Sequence, residues 1–250
     1  MCVAAALAGG VATFAWHGPV LGLLLRSLPP DASTLAGPDG APRIAVTHVG
    51  EGFALVLKLS LAGGIALAMP VWLVQLWRFV APAFDEASRP RPAPFVAVGV
   101  GLFAAGVATA LATLRYPVAW LLRFDERYFA PIITAGPYAS FVASFVLVFG
   151  LAFELPLVLV LLVRIGAMSP TTLARRRGPN LVALWALSCI ATPGADPYSP
   201  LILGGEATAL YFVAEVLVRT TVSRDAIRSR AGGVSDSKDG TSKVVPGDVV

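Results

Sequence analysis

Residues Phe145 to Val163 read FVLVFGLAFELPLVLVLLV, an apolar run broken only by Glu154 and, two positions later, by Pro156. No other feature constrains this chain as strongly. An α-helix needs about 20 apolar residues to cross a bilayer, and a run without alternation is not a half-buried strand. Five more segments follow the pattern. The six predicted spans are Met1 to about Leu25, Gly52 to Trp77, Phe95 to Leu114, Tyr138 to Val163, Leu181 to Ala191 and Leu201 to Val218. Composition agrees: 56% of residues are hydrophobic, 14% are charged, and the mean hydropathy is +0.76. A soluble protein with so little polar surface could not cover its core, whereas lipid requires only that backbone groups be satisfied within helices or a closed barrel. The expected fold class is all-α, a polytopic membrane protein with six transmembrane helices, the last two short. The membrane domain is expected at 1–219. A tail at 220–250, Gly/Ser/Asp/Lys-rich and without apolar periodicity, is expected to be disordered and cytoplasmic.

The first span lacks a basic start, so it does not read as a cleaved signal peptide. His17, Gly18 and Pro19 interrupt it and leave only Cys2 to Trp16 as its apolar part. That is too short to cross unaided, so the helix is expected to be truncated at its N-terminus. The stretch TPGADPYSP, 192–200, cannot be helical throughout and separates the fifth and sixth spans. The outer connections, Ser27 to Glu51 and Tyr116 to Pro137, are long enough to cap that face. In the third span Ala97, Gly101, Ala105 and Thr109 place a small residue every four positions, so this face is expected to admit close helix approach.

Net charge is +4 and the pI is about 9.4, but the basic residues lie between apolar spans rather than in one stripe. They serve topology and not nucleic acid. Thirteen Lys and Arg follow the second, fourth and sixth spans, against six on the other side. That asymmetry predicts cytoplasmic N- and C-termini and cytoplasmic loops after spans two and four. Cys2 and Cys189 have no CxxC partner, and His17 and His48 have no metal-ligand spacing, so they read as packed thiols and interfacial polar caps. There is no phosphate loop, nucleophile elbow or pair of intramembrane acids or histidines. An enzyme is not expected, nor a cofactor or metal.

Glu154 carries the chemistry. A charged carboxylate at membrane depth costs at least about 2.5 kcal/mol, so it must face something polar. Two partners are open: the backbone carbonyl near Ala152 that Pro156 deprives of its donor, or the polar group of another membrane helix reaching into a recess. Proton relay would need more acids, and only Glu206 and Glu215 of the last span are candidates.

Three motifs in order, LKLSLAGGIALAMPVWLVQLWRFVAPAF at 57–84, ITAGPYASFVASFVLVFGLAFELPLVLVLLVRIGAMSPTTLARRR at 133–177, and ATPGADPYSPLILGG at 191–205, resemble the TatC family of the twin-arginine protein translocase, and TPGADPYS looks most like its actinobacterial members. The resemblance covers about Pro19 to Arg219. It implies a curved, concave wall of six helices in the cell membrane, acting as a non-enzymatic receptor. Such a receptor binds the twin-arginine signal peptides of folded precursor proteins at the cytoplasmic face. It recruits the single-span partners TatA and TatB into a multimeric complex for transport driven by the proton-motive force. Residue by residue, Glu154 matches the family's intramembrane glutamate in the concavity, where a partner helix docks. Pro70 matches the proline bending the second span, and Pro19 one in the first outer loop. Phe79 matches the aromatic residue opening the first cytoplasmic loop, and Asp196 the aspartate between the last two spans.

The chain also departs from the pattern. The family's N-terminal HLxELRxRL segment has no counterpart. In the loop PAFDEASRP, Ser88 stands where the family has a glutamate; Arg89 is kept, and Asp85 and Glu86 can supply a carboxylate to a guanidinium pair. Pro200 stands where a glutamine is frequent. Two other readings follow: a small-solute or ion carrier titrating through Glu154, and a truncated paralogue with impaired signal recognition.

Overall fold

The computed structural model describes residues 2–26, 35–36, 42–43, 48–83, 92–124, 134–194 and 196–239. Asp85, Glu86, Ser88 and Arg89 lie outside the described residues. The order is α1 (Cys2–Ala15), α2 (His17–Arg26), α3 (Glu51–Leu67), α4 (Met69–Val80), α5 (Pro92–Thr113), α6 (Arg115–Arg123), α7 (Ala135–Phe153), α8 (Leu155–Arg164), α9 (Pro170–Arg175), α10 (Arg177–Ala191) and α11 (Tyr198–Asp239). A short antiparallel bridge, Leu35–Ala36 against Pro42–Arg43, lies between α2 and α3.

Prolines set these boundaries. Every helix after α1 except α3 has a proline among its first three residues: Pro19, Pro70, Pro92, Pro117, Pro137, Pro156, Pro170, Pro179 and Pro200. A proline in the first turn forfeits only an N–H that lacks an intrahelical partner there, whereas inside a helix it removes a ladder bond and clashes with the preceding turn. Three spans therefore divide into helix pairs, α3 with α4, α5 with α6 and α7 with α8, whereas α11 runs unbroken through the sixth. The α3–α4 pair bends by 42° at Ala68, just before Pro70. Pro19 stands in the first turn of α2 rather than in a loop, as the resemblance had it; a fixed φ suits that position.

The spans Pro92–Arg123, Ala135–Arg164 and Tyr198–Thr220 are long and apolar enough to cross a membrane, and α3 with α4, taken together as a bent pair, meets the same length and composition. The first and fifth spans, α1 with α2 and α10, are shorter. Side by side, α1 packs on α3, α3 on α7, α8 on α11 and α11 on α10, with α5 lying against both α4 and α7. The central layer is α7, whose Phe145 and Phe149 are fully buried with ring centroids 4.3 Å apart. Leu55, Ala110, Leu114 and Leu203 close around them.

Lipid gives helices little hydrophobic reason to associate, so close van der Waals approach does the work. At α1–α3, a Cβ on Gly64 would sit 2.6 Å from the Gly10 nitrogen. At α5–α7, a Cβ on Gly106 would sit 2.7 Å from the Phe149 carbonyl oxygen and 2.9 Å from the Gly150 Cα. The buried face of α5 is thus Gly99, Phe103, Gly106 and Ala110, not the expected row Ala97, Gly101, Ala105 and Thr109. A Cβ on Gly101 would meet nothing within 4 Å. Both rows have helical spacing, and only the position of Phe103 opposite Gly150 selects between them.

One further expectation changes. The second outer connection begins as helix, since α6 carries the third span on to Arg123; its arginines and Tyr116 suit a helix that leaves the apolar layer. The backbone of α11 is helical to Asp239.

Candidate functional site

Glu154 occupies the joint between α7 and α8. Its backbone (φ −73°, ψ −11°) ends one helix and begins the other; its N–H donates to the Leu151 carbonyl at 3.1 Å, and its carbonyl accepts from Val158 at 3.0 Å. Pro156 makes this joint by removing one rung of the ladder. The side chain is buried, with 6% of its surface exposed, and neither carboxyl oxygen has a hydrogen-bond partner. The bond to the backbone near Ala152, one of the two expectations, is therefore not made. A buried polar group left without a partner costs about 1–3 kcal/mol.

Glu206 of α11 repeats the situation in part: one of its oxygens, Oε2, is buried without a partner. Glu215, by contrast, is consumed. Arg177 Nε donates to Glu215 Oε2 at 2.9 Å, and Arg177 Nη2 and Arg219 Nη2 both donate to Oε1. The spacing of Glu215 and Arg219 foretells their pairing on one helix face; the reach of Arg177 from α10 has no signal in sequence. Nearby, Asn180 Nδ2 donates to Tyr211 Oη at 3.0 Å, and the Tyr211 hydroxyl donates to the Leu173 carbonyl at 2.8 Å. These bonds tie α9, α10 and α11 together.

Asp196 is buried and structural in its contacts. Its Oδ1 accepts from the Ser199 N–H and its Oδ2 from the Ser199 hydroxyl, both at 2.7 Å, which caps the first turn of α11. An acid there also complements the helix dipole. Phe79, near the end of α4, is 84% exposed although its neighbours Trp77 and Val80 are buried. An exposed aromatic side chain beside exposed Arg78 is offered outward at the end of the second span. Lys58 donates to Ser140 at 3.1 Å, and Glu51 Oε1 accepts from the Gly136 N–H at 2.9 Å, which ties the N-terminal halves of α3 and α7 together.

An apolar hollow of about 430 Å³ lies between the first four spans, lined by Thr13, Trp16, Leu59, Gly63, Val107 and Val142 among others. Glu154 is not one of its lining residues.

The spans and their buried acid define a multi-pass α-helical membrane protein. Residues 1–205 match the family described as Sec-independent protein translocase protein (TatC). The chain belongs to the TatC family. It is 32% identical over 189 residues to the TatC protein of Frankia casuarinae, covering 76% of this chain and 52% of that one. It is 31% identical over 239 residues to that of Corynebacterium kroppenstedtii, covering 92% and 57%. With that of Carboxydothermus hydrogenoformans it shares 35% over 173 residues, covering 69% and 71%. The chain thus spans about half the length of the first two relatives. Two crystal structures of the twin arginine translocase receptor TatC superpose with TM-scores of 0.69 and 0.70 at 25% and 26% identity, covering 88% and 87% of this chain and 94% of each of those.

Proposed function

We propose that this chain is the receptor core of a twin-arginine translocase, binding twin-arginine signal peptides of folded precursors and recruiting single-span TatA and TatB helices for export driven by the proton-motive force. The single observation that carries this reading is the match to the family over residues 1–205, together with likeness to structures of a twin arginine translocase receptor. It works in the cell membrane with both termini in the cytoplasm, a placement supported by the thirteen-to-six division of Lys and Arg. No step requires covalent catalysis, a metal or a cofactor.

Two sites divide the work. At the cytoplasmic end of the second span, exposed Phe79 packs on the signal peptide, while Asp85, Glu86 or both hold its arginines as bidentate carboxylate partners. Arg89 belongs to the same signal-binding loop. At membrane depth, Glu154 gains the hydrogen bond it lacks within its own chain from a polar side chain of a docking helix. Pro156 interrupts the helical ladder at the α7–α8 joint where Glu154 stands, and Pro70 sets the bend between α3 and α4. The carrier alternative is weakened because Glu215, one of its relay acids, is neutralised by Arg177 and Arg219.

A photoreactive residue at position 79 or 86 tests the receptor role. Crosslinks to a twin-arginine peptide are expected, and they disappear when both peptide arginines become lysines. Equal crosslinking of the two peptides overturns the assignment.

A further inference from the structure

The junction of α9 and α10 carries a feature that signal recognition and partner docking leave unused. A concavity of about 450 Å³ opens there, lined by Thr172, Arg175, Arg176 and Pro179. The three consecutive arginines have different fates. Arg177 turns to Glu215, whereas the exposed Arg175 and Arg176 make no ion pair or side-chain hydrogen bond among the described residues. Two unspent guanidinium groups on one concave surface form a site for a compact anion with several acceptor oxygens, the geometry in which Arg exceeds Lys.

We propose that this concavity holds the headgroup phosphate of an anionic phospholipid. Its place in the fold selects a lipid over a free anion. Apolar α8 ends at Arg164 just before it, and the apolar part of α10 starts at Leu181 just after it, so the concavity stands at the edge of the hydrocarbon layer. Below Pro179 on the same side of α10 stand Val182 and Ile190, with Leu187 beside them, 70%, 82% and 60% exposed. An acyl chain descending from a headgroup at Pro179 lies along that face. Basic recesses between membrane helices are a recurrent means of holding anionic headgroups. A cationic twin-arginine peptide is repelled by the same arginines, so the lipid site and the signal site do not compete.

The test uses the purified full chain in non-ionic detergent, titrated with phosphatidylglycerol or phosphatidylcholine of identical acyl chains and followed by native mass spectrometry. Wild-type protein is expected to retain phosphatidylglycerol about tenfold more tightly than phosphatidylcholine. R175A/R176A is expected to lose that preference, and R175K/R176K to keep part of it. R78A, which removes an exposed arginine elsewhere, is expected to leave the preference intact. Thr172→Glu, which puts an acid on the wall and spares both arginines, is expected to weaken retention as well. Inorganic phosphate in large excess is expected to displace little lipid. Equal retention of the two lipids, an unchanged preference in R175A/R176A and in Thr172→Glu, or an equal loss in R78A overturns the proposal. Displacement by phosphate at concentrations comparable to the lipid overturns the lipid as the occupant. None of these readouts depends on signal binding.

Discussion

Replacing Glu154 by methionine is expected to stabilise the isolated chain. Both carboxyl oxygens are buried and unpartnered, so the folded chain carries the cost of an unmet polar group, about 1–3 kcal/mol. Methionine is unbranched, of similar length and adaptable in packing, so it fills the same space without that cost. For a chain of this size each kcal/mol shifts the midpoint by about 2–4 °C, and the expected rise is several degrees. Thermal unfolding of the purified chain in detergent, followed by circular dichroism and without any partner, measures it. Glu154→Gln serves as the control: its amide meets the same empty surroundings, so its midpoint is expected to stay near that of the wild type. A lowered midpoint for Glu154→Met refutes the reasoning, because it means that the carboxyl group makes stabilising bonds within its own chain.

Other perturbations follow from the packing and the caps. Gly106→Ala is expected to destabilise by about 1–3 kcal/mol, because the new methyl overlaps the α7 backbone; Gly101→Ala, facing open space, is expected to be neutral or to gain about 0.5–1 kcal/mol, and the pair is compared by the same melts. Asp196→Ala is expected to cost about 0.5–2 kcal/mol through loss of the α11 cap, with hydrogen exchange accelerated in the first turn of that helix. Tyr211→Phe strips the Leu173 carbonyl and the Asn180 amide of a partner and is expected to cost about 1–3 kcal/mol in the melt.

Much of the fold is legible in the sequence, because hydrocarbon thickness fixes span length and prolines fix the joints. The break at Trp16, the bend before Pro70 and the turn through 192–197 all follow from residues that cannot continue a helix. The contact face of the third span does not, since the rows that begin at Ala97 and at Gly99 both have helical spacing and the choice depends on Phe103 meeting Gly150. The site divides the same way. The anomaly of an acid at position 154 is visible in one dimension, but whether neighbours satisfy it depends on side chains far away in sequence. The pairing of Arg177 with Glu215 is invisible for the same reason, and Arg177 reads as one more loop charge. Asp196 shows its cap through the spacing to Ser199, a local signal that needs no tertiary contact.

The central claim is that the Glu154 carboxyl group is completed by a second polypeptide. A photoreactive residue at Val158, one turn along α8 and 41% exposed, reports that contact when the chain is co-expressed with its single-span partners. Crosslinking is expected with Glu154 in place, to fall about tenfold in Glu154→Ala, the worth of a single hydrogen bond to a polar group, and to fall less in Glu154→Gln, which can still donate and accept. Signal-peptide crosslinks from Phe79 are expected to persist in both variants. Crosslinking from Val158 that is unchanged in Glu154→Ala contradicts the account.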